Sequence, residues 1–208
     1  MHEQPYRQNP LLRLSYSLIA PLYDFVIERP MRAARKRSLA ALPADQNKRI
    51  LISGAGTGLD LPWLPAQHRY TALDFNHAML SHAKRRGEHL EADFVLGDSM
   101  ELPFADHAFD HVVLHLIVAV VPEPQRCLSE ATRVLKPGGT IILFDKFLHP
   151  RQHAPLRRLF NYLTRRLATR MDVVFEEVLR AAPELEVVSD EPALAGGWFR
   201  AIVLRKSR

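Results

Sequence analysis

Arg49-Ile50-Leu51-Ile52-Ser53 runs without a break into Gly54-Ala55-Gly56-Thr57-Gly58. The first five residues read as a short apolar strand, and three of the chain's nine glycines follow in five positions. One glycine suffices for a turn, so three together ask for more than a change of direction. Glycine tolerates positive φ and lets a ligand come close to the backbone. A helix is expected next, interrupted near Pro62 and Pro65, and its first N–H groups would add partial positive charge. Strand, glycine loop and helix start make a cradle for a nucleotide or a carboxylate at the carboxyl end of a parallel strand.

Outward from this loop, strands and helices alternate. Residues 70–73 read as a second strand ending at Asp74, 20 positions after Gly54. A carboxylate there is placed to accept hydrogen bonds from both ribose hydroxyls of an adenosine. Asn76 is a suitable N-cap for a helix to about Arg86, and Gly87 stops it. Residues 92–96 form a third strand before Gly97-Asp98. A fourth begins within the apolar run 109–121. A helix over about 124–135 ends at Lys136-Pro137-Gly138-Gly139, and 140–144 is a fifth strand. Residues 150–182 read as helical, with final strands at 185–188 and 198–204. Upstream, residues 10–42 read as helical, broken by Pro21 and Pro30. Repeated β-α units and continuous apolar strands such as Val112-Val113-Leu114 imply a doubly wound parallel sheet buried on both faces.

Composition narrows the class. The 208 residues are 47% hydrophobic, enough for one substantial core, and 25% charged, which excludes a disordered chain. Lone Cys127 rules out an internal disulfide or a cysteine zinc cluster. No run approaches the roughly 18 apolar residues of a membrane span. The polar start does not fit a cleaved secretory signal, so the expected address is cytoplasmic, free or peripheral on the inner membrane face. His77 and His82 are five apart rather than four, and no metal is expected. The net charge of +5 is modest and argues against nucleic acid as a partner. It is unevenly placed: residues 1–40 carry seven Lys and Arg against three acids, and residues 150–170 six Arg and no acid.

The loop reads G-x-G-x-G, with Leu59 where a dinucleotide loop places a small third residue. This argues against an NAD(P)-dependent oxidoreductase. The loop resembles the first motif of the class I S-adenosylmethionine-dependent methyltransferases. The resemblance spans about residues 45–146. It includes Asp74-Phe75 with the Met79-Leu80 pair, Gly97-Asp98-Ser99-Met100 on the adenine side, Phe109-Asp110-His111-Val112-Val113, and Arg133-Val134-Leu135-Lys136-Pro137-Gly138-Gly139. It implies S-adenosylmethionine as cofactor and a Rossmann-like seven-stranded sheet with an antiparallel last strand. It also implies a helical N-terminal lid and a helical insertion after strand five. The cofactor-binding residues it implies are Gly54, Ala55, Gly56, Thr57, Gly58, Asp74, Phe75, Met79, Asp98, Ser99, Met100, His115 and Leu116. One position departs from the pattern. Ile52 stands where the family usually has an acid, and Asp60 is the nearest substitute. That departure alone favours a non-catalytic cofactor-binding module.

A single domain is expected, with 1–42 as lid, 45–146 as cofactor core, 150–182 as substrate-side cap and 184–206 as the final strand pair. Ala20-Pro21-Leu22-Tyr23-Asp24, the extended loop Gly56-Thr57-Gly58-Leu59-Asp60-Leu61-Pro62 and Val120-Val121-Pro122-Glu123-Pro124 resemble bacterial phosphatidylethanolamine N-methyltransferases. Ubiquinone/menaquinone C-methyltransferases come next. The acceptor is therefore expected to be a small molecule or a lipid: a phospholipid amine or, alternatively, a quinol or other small metabolite methylated on carbon or oxygen. Leu156, Leu159, Phe160, Leu163 and Leu167 alternate with arginines at helical spacing. That pattern suits either an anionic membrane surface or a cap packed on the core. His115, at the end of strand four, is the candidate base, and Tyr23 a second catalytic candidate. Tyr16 and Tyr23 are candidates to hold a cationic amine through their ring faces.

Overall fold

The computed structural model describes residues 31–45, 47–148 and 173–208. Seven strands, β1 (Arg49–Ser53), β2 (Arg69–Asp74), β3 (Glu91–Leu96), β4 (Phe109–His115), β5 (Leu135–Lys146), β6 (Leu185–Leu194) and β7 (Phe199–Lys206), form one sheet. Its order is β3-β2-β1-β4-β5-β7-β6. The first five strands pair in parallel, while β7 runs antiparallel to both β5 and β6. The order reverses between β1 and β4, and the crevice outside the carboxyl ends of such a pair is where open α/β sheets bind ligands.

Side-chain alternation explains the two-sided core. Leu51, Val112, Leu114, Ile141 and Leu143 face one side, where they meet Cys127, Leu128 and Ala131 of α3 (Pro124–Val134). Ile50, Ile52, Val113 and Ile142 face the other, against Leu39, Leu42, Leu61 and Tyr70. Every one of these strand residues is nearly inaccessible to water, so neither face tolerates a one-residue slip. Ile52, the position where the resemblance leads one to expect an acid, is thus a core residue between Ala72 and Val113. Burial also pushes the Cys127 thiol up, which leaves it a packing group.

The helices form where their ends are capped. In α2 (His77–Arg86), the Asn76 side chain accepts hydrogen bonds from Ala78 N at 2.9 Å and Met79 N at 3.4 Å. Gly87 closes the other end by donating to the Ala83 carbonyl. Residues 31–39 form α1, and Phe175–Leu179 form the short α4. Lys206 Nζ donates to the carbonyls of Thr132 and Leu135, tying β7 to the end of α3.

Three expectations need correction. No regular helix follows the glycine loop; there is only a 3-10 turn at Leu61–Trp63, because Pro62 and Pro65 deny a longer helix its backbone donors. Residues 136–139, read as a turn, belong to β5, whose pairing with β4 shifts register between Phe109 and His111. The sixth strand is also longer than residues 185–188, running on to Leu194 against β7.

Candidate functional site

Gly54, Gly56 and Gly58 all adopt positive φ (75°, 55° and 82°), as the sequence demands of them. Their surroundings differ. A Cβ on Gly54 would lie 2.6 Å from Ile117 Cγ1, and one on Gly58 would lie 2.7 Å from Ala83 Cα. At Gly56 it would meet nothing within 4 Å. The loop is therefore pressed onto the fold at both ends and open in the middle. Thr57 is buried beside it, while Ala55 is partly exposed.

Asp74 closes the other side. Its Oδ2 accepts from Gly56 N at 2.7 Å and its Oδ1 from Asn76 N at 2.9 Å. Burial raises the Asp74 carboxyl, and the N–H groups of Asn76, Gly56 and Phe75 pull it part of the way back. Three N–H donors on a carboxylate with about four acceptor positions still leave it capacity to accept from a ribose hydroxyl. Ser53 Oγ donates to Ser99 Oγ at 2.8 Å, joining the ends of β1 and the 97–101 loop. Asp98 Oδ1 accepts from Met100 N at 2.8 Å, which closes that loop on itself. Phe75 and Met79 are partly exposed. The Met100 side chain, in contrast, is packed into the main core, which leaves only its backbone on the loop.

His115 ends β4 as expected, but neither ring nitrogen is free. Nδ1 lies 3.0 Å from Asp60 Oδ1 and Nε2 lies 3.0 Å from Ser38 Oγ. Asp60 is an acceptor only, so Nδ1 carries the hydrogen. Arg35 Nη1 donates to both Asp60 oxygens at 2.8 Å. Burial alone would raise Asp60; the His115 and Arg35 charges and hydrogen bonds reverse this and hold its carboxyl well below the usual range. Asp60 is thus committed to α1 and β4, which corrects the expectation that it stands in for the acid missing at Ile52. Sequence reading gave no signal for Arg35 or Ser38, because their partners lie 25 and 77 positions away.

Leu116 follows with φ 57°, a costly conformation for a branched side chain, and its N–H donates to the Phe144 carbonyl. It packs against Ala34, Phe144 and Phe199. One position past Phe144, Asp145 is wholly buried and accepts hydrogen bonds from Ala119 N and Lys146 N. Burial pushes its carboxyl up to about 6, with those two N–H groups and the Lys146 and His115 charges opposing. Tyr16, Tyr23 and the arginine-rich segment 150–170 lie outside the described residues.

An open-centred glycine loop beside a diol-accepting carboxylate, with no third glycine aligned for a pyrophosphate, fits the adenosyl and methionine portions of S-adenosylmethionine. Residues 51–143 match the family described as Methyltransferase domain. Phosphatidylethanolamine N-methyltransferase of Cereibacter sphaeroides is 36% identical over 185 residues, 86% of this chain and 89% of that protein. Demethylmenaquinone methyltransferase of Renibacterium salmoninarum is 37% identical over 155 residues, 72% of this chain and 64% of that one. In the solved structure of the 4+2 cyclase SpnF, 21% identical, the fold recurs with a TM-score of 0.73 over 93% of this chain and 94% of that one. A cyclase on the same scaffold shows that the scaffold alone does not name a reaction. The long curated match does, and the chain belongs to the S-adenosylmethionine-dependent methyltransferases.

Proposed function

We propose that this enzyme methylates a lipid amine headgroup of the phosphatidylethanolamine type while resting on an anionic membrane surface. The observation that carries the reading is the match to the Cereibacter sphaeroides enzyme over 89% of that protein's length. Bound S-adenosylmethionine supplies a methyl group already activated by its sulfonium. In this reading residues 54–58 seat the methionine portion, Asp74 takes the ribose hydroxyls, and Phe75, Met79, Asp98, Ser99 and the Met100 backbone border the adenine. Leu116 walls the reacting end. Displacement at an activated methyl needs an aligned, deprotonated nucleophile more than strong acid-base help. His115 therefore acts by position, and Tyr16 and Tyr23 hold the amine through their ring faces.

Charge supports the surface. Arg32, Lys36 and Arg37 are exposed on α1, and residues 150–170 add six Arg without an acid. Each such cation contributes about 1 kcal/mol near an anionic bilayer. No described helix is long and apolar enough to cross a membrane. The second reading is carbon methylation of a quinol, favoured by the 37% identity to a demethylmenaquinone methyltransferase.

Radiolabelled methyl transfer separates the two. Vesicles of phosphatidylethanolamine with phosphatidylglycerol are expected to take label, and vesicles carrying demethylmenaquinol are not. Label in the quinol alone overturns the lead reading. Failure of anionic vesicles to retain the protein at low salt overturns the membrane surface.

A further inference from the structure

The chain Arg35–Asp60–His115–Ser38 is a connected run of four buried polar side chains beside the crevice. The four residues are 7%, 5%, 5% and 5% exposed. It starts and ends on α1 and passes through the loop after β1, at Asp60, and the carboxyl end of β4, at His115. Asp60 stands two residues after Gly58, and His115 closes β4. The guanidinium of Arg35 has no acceptor for its Nε among the described residues, so its hold is on Asp60. The same α1 meets the same loop a second time at Trp63, whose ring lies under Lys36 Nζ at 4.4 Å and Arg32 at 5.6 Å. Segment 58–63 is tightly wound between these contacts: Gly58 N donates to Ala55 O, Leu61 N to Gly58 O and Trp63 N to Asp60 O. A shift of the glycine loop therefore cannot be absorbed before it reaches α1.

We propose that Asp60 is a positioning residue that couples the glycine loop to α1, so that filling the loop with cofactor tightens α1 across the crevice. By reciprocity, loosening α1 must weaken the cofactor by the same factor. This rests on the reading that residues 54–58 hold the cofactor. Asp60 acts through the helix and touches neither the methyl group nor its acceptor.

Amide hydrogen exchange of segment 31–39, with and without saturating S-adenosylhomocysteine, tests the coupling. In the native protein the ligand is expected to slow exchange there by about tenfold. Asp60→Asn keeps the side-chain shape but removes the charge. It should abolish the ligand-dependent slowing and weaken calorimetric binding of S-adenosylhomocysteine by about tenfold. Arg35→Lys, which keeps a cation beside Asp60, should retain more of the slowing than Arg35→Ala. Amides of β4 and β5 report whether each variant is folded. Should Asp60→Asn unfold, Ser38→Ala, which removes one hydrogen bond, carries the test with a smaller loss in the same direction. A merely structural network would lower stability yet leave the ligand-dependent slowing intact. That result, or a native protein that binds ligand with no change at 31–39, overturns the proposal. A native protein that does not bind S-adenosylhomocysteine overturns the cofactor-loop reading as well, and calorimetry alone reveals which has failed.

Discussion

The carboxyl ends of β1, β2 and β3 are finished differently from the edge made by the carboxyl ends of β4 and β5 and the amino end of antiparallel β7. On the first side the working groups are backbone: three positive-φ glycines, the Gly56 N–H on Asp74, and a loop that Asp98 closes over Met100. On the second they are paired charges from different elements, anchored by the buried Arg35, Asp60, His115 and Arg200. His115 meets Asp60 and Ser38, while Arg200 holds Asp190 and Glu176 and stacks over Phe175. A rim of backbone and small residues offers unfilled hydrogen-bond capacity to a ligand. A rim of paired charges has its opposite charges already matched to one another. Losing one member of such a pair is costly, since the other is left buried and uncompensated. The cofactor side is thus built to receive, and the other side to hold helices in place.

The sharpest way to break the contrast is Asp74→Ala. It removes two charge-assisted acceptors from the receiving side, and S-adenosylhomocysteine affinity is expected to fall about a thousandfold. Calorimetry checks it; a loss under tenfold means that Asp74 does not meet the ribose. Stability should change little beside that.

Asp145 probes the holding side through pH. The folded protein keeps this proton up to about pH 6, whereas an ordinary carboxyl releases it near 3.8. Between those values the folded state binds the extra proton, so stability falls as pH rises, and the deficit is complete above pH 6. A carboxyl displaced this far corresponds to roughly 3 kcal/mol. Asp145→Asn should flatten that slope in urea titrations from pH 4 to 7; parallel slopes would refute it. Asp60 works in the opposite sense. Its depressed carboxyl stabilises the fold above the unfolded value and loses that contribution only in strong acid.

The smallest effects come from the loop glycines. Gly58→Ala combines φ 82° with a Cβ 2.7 Å from Ala83 Cα, and should cost about 2 kcal/mol of stability. Gly56→Ala has only its φ of 55° to overcome, about 1 kcal/mol, and its Cβ enters open space. Urea midpoints should therefore rank Gly58→Ala below Gly56→Ala, while ligand titrations should rank them the other way. The same ranking in both assays would mean that the loop's open centre is not where the ligand lies.

The same contrast governs what was legible in the sequence. Asn76 as cap, Gly87 as stop, Asp74 at a strand end and the glycine loop each act on neighbours within a few residues or on one adjacent strand, and all could be read. Strand limits were less legible, because Val187 and Val188 are exposed and no inward face marked β6 as continuing to Leu194. The helix expected after the loop, with its interruption near Pro62 and Pro65, is reduced by those prolines to one 3-10 turn. Nothing local announces that Asp60 faces Arg35 or that Ser38 meets His115; only the folded sheet brings α1 over those two ends. The strand-end position of His115 is legible in the sequence, and its partners Asp60 and Ser38 are not.

Trp63 and Trp198 are the chain's two tryptophans, and each lies against α1 or the cluster it joins. Trp63 sits under the cations Arg32 and Lys36, and Trp198 packs against the apolar cluster that contains Ala34. Indole emission responds to nearby charge and to water. The protein thus carries its own optical gauge of this helix: lifting α1 exposes one ring and strips the other of its cations, and the intrinsic fluorescence records the movement without a label.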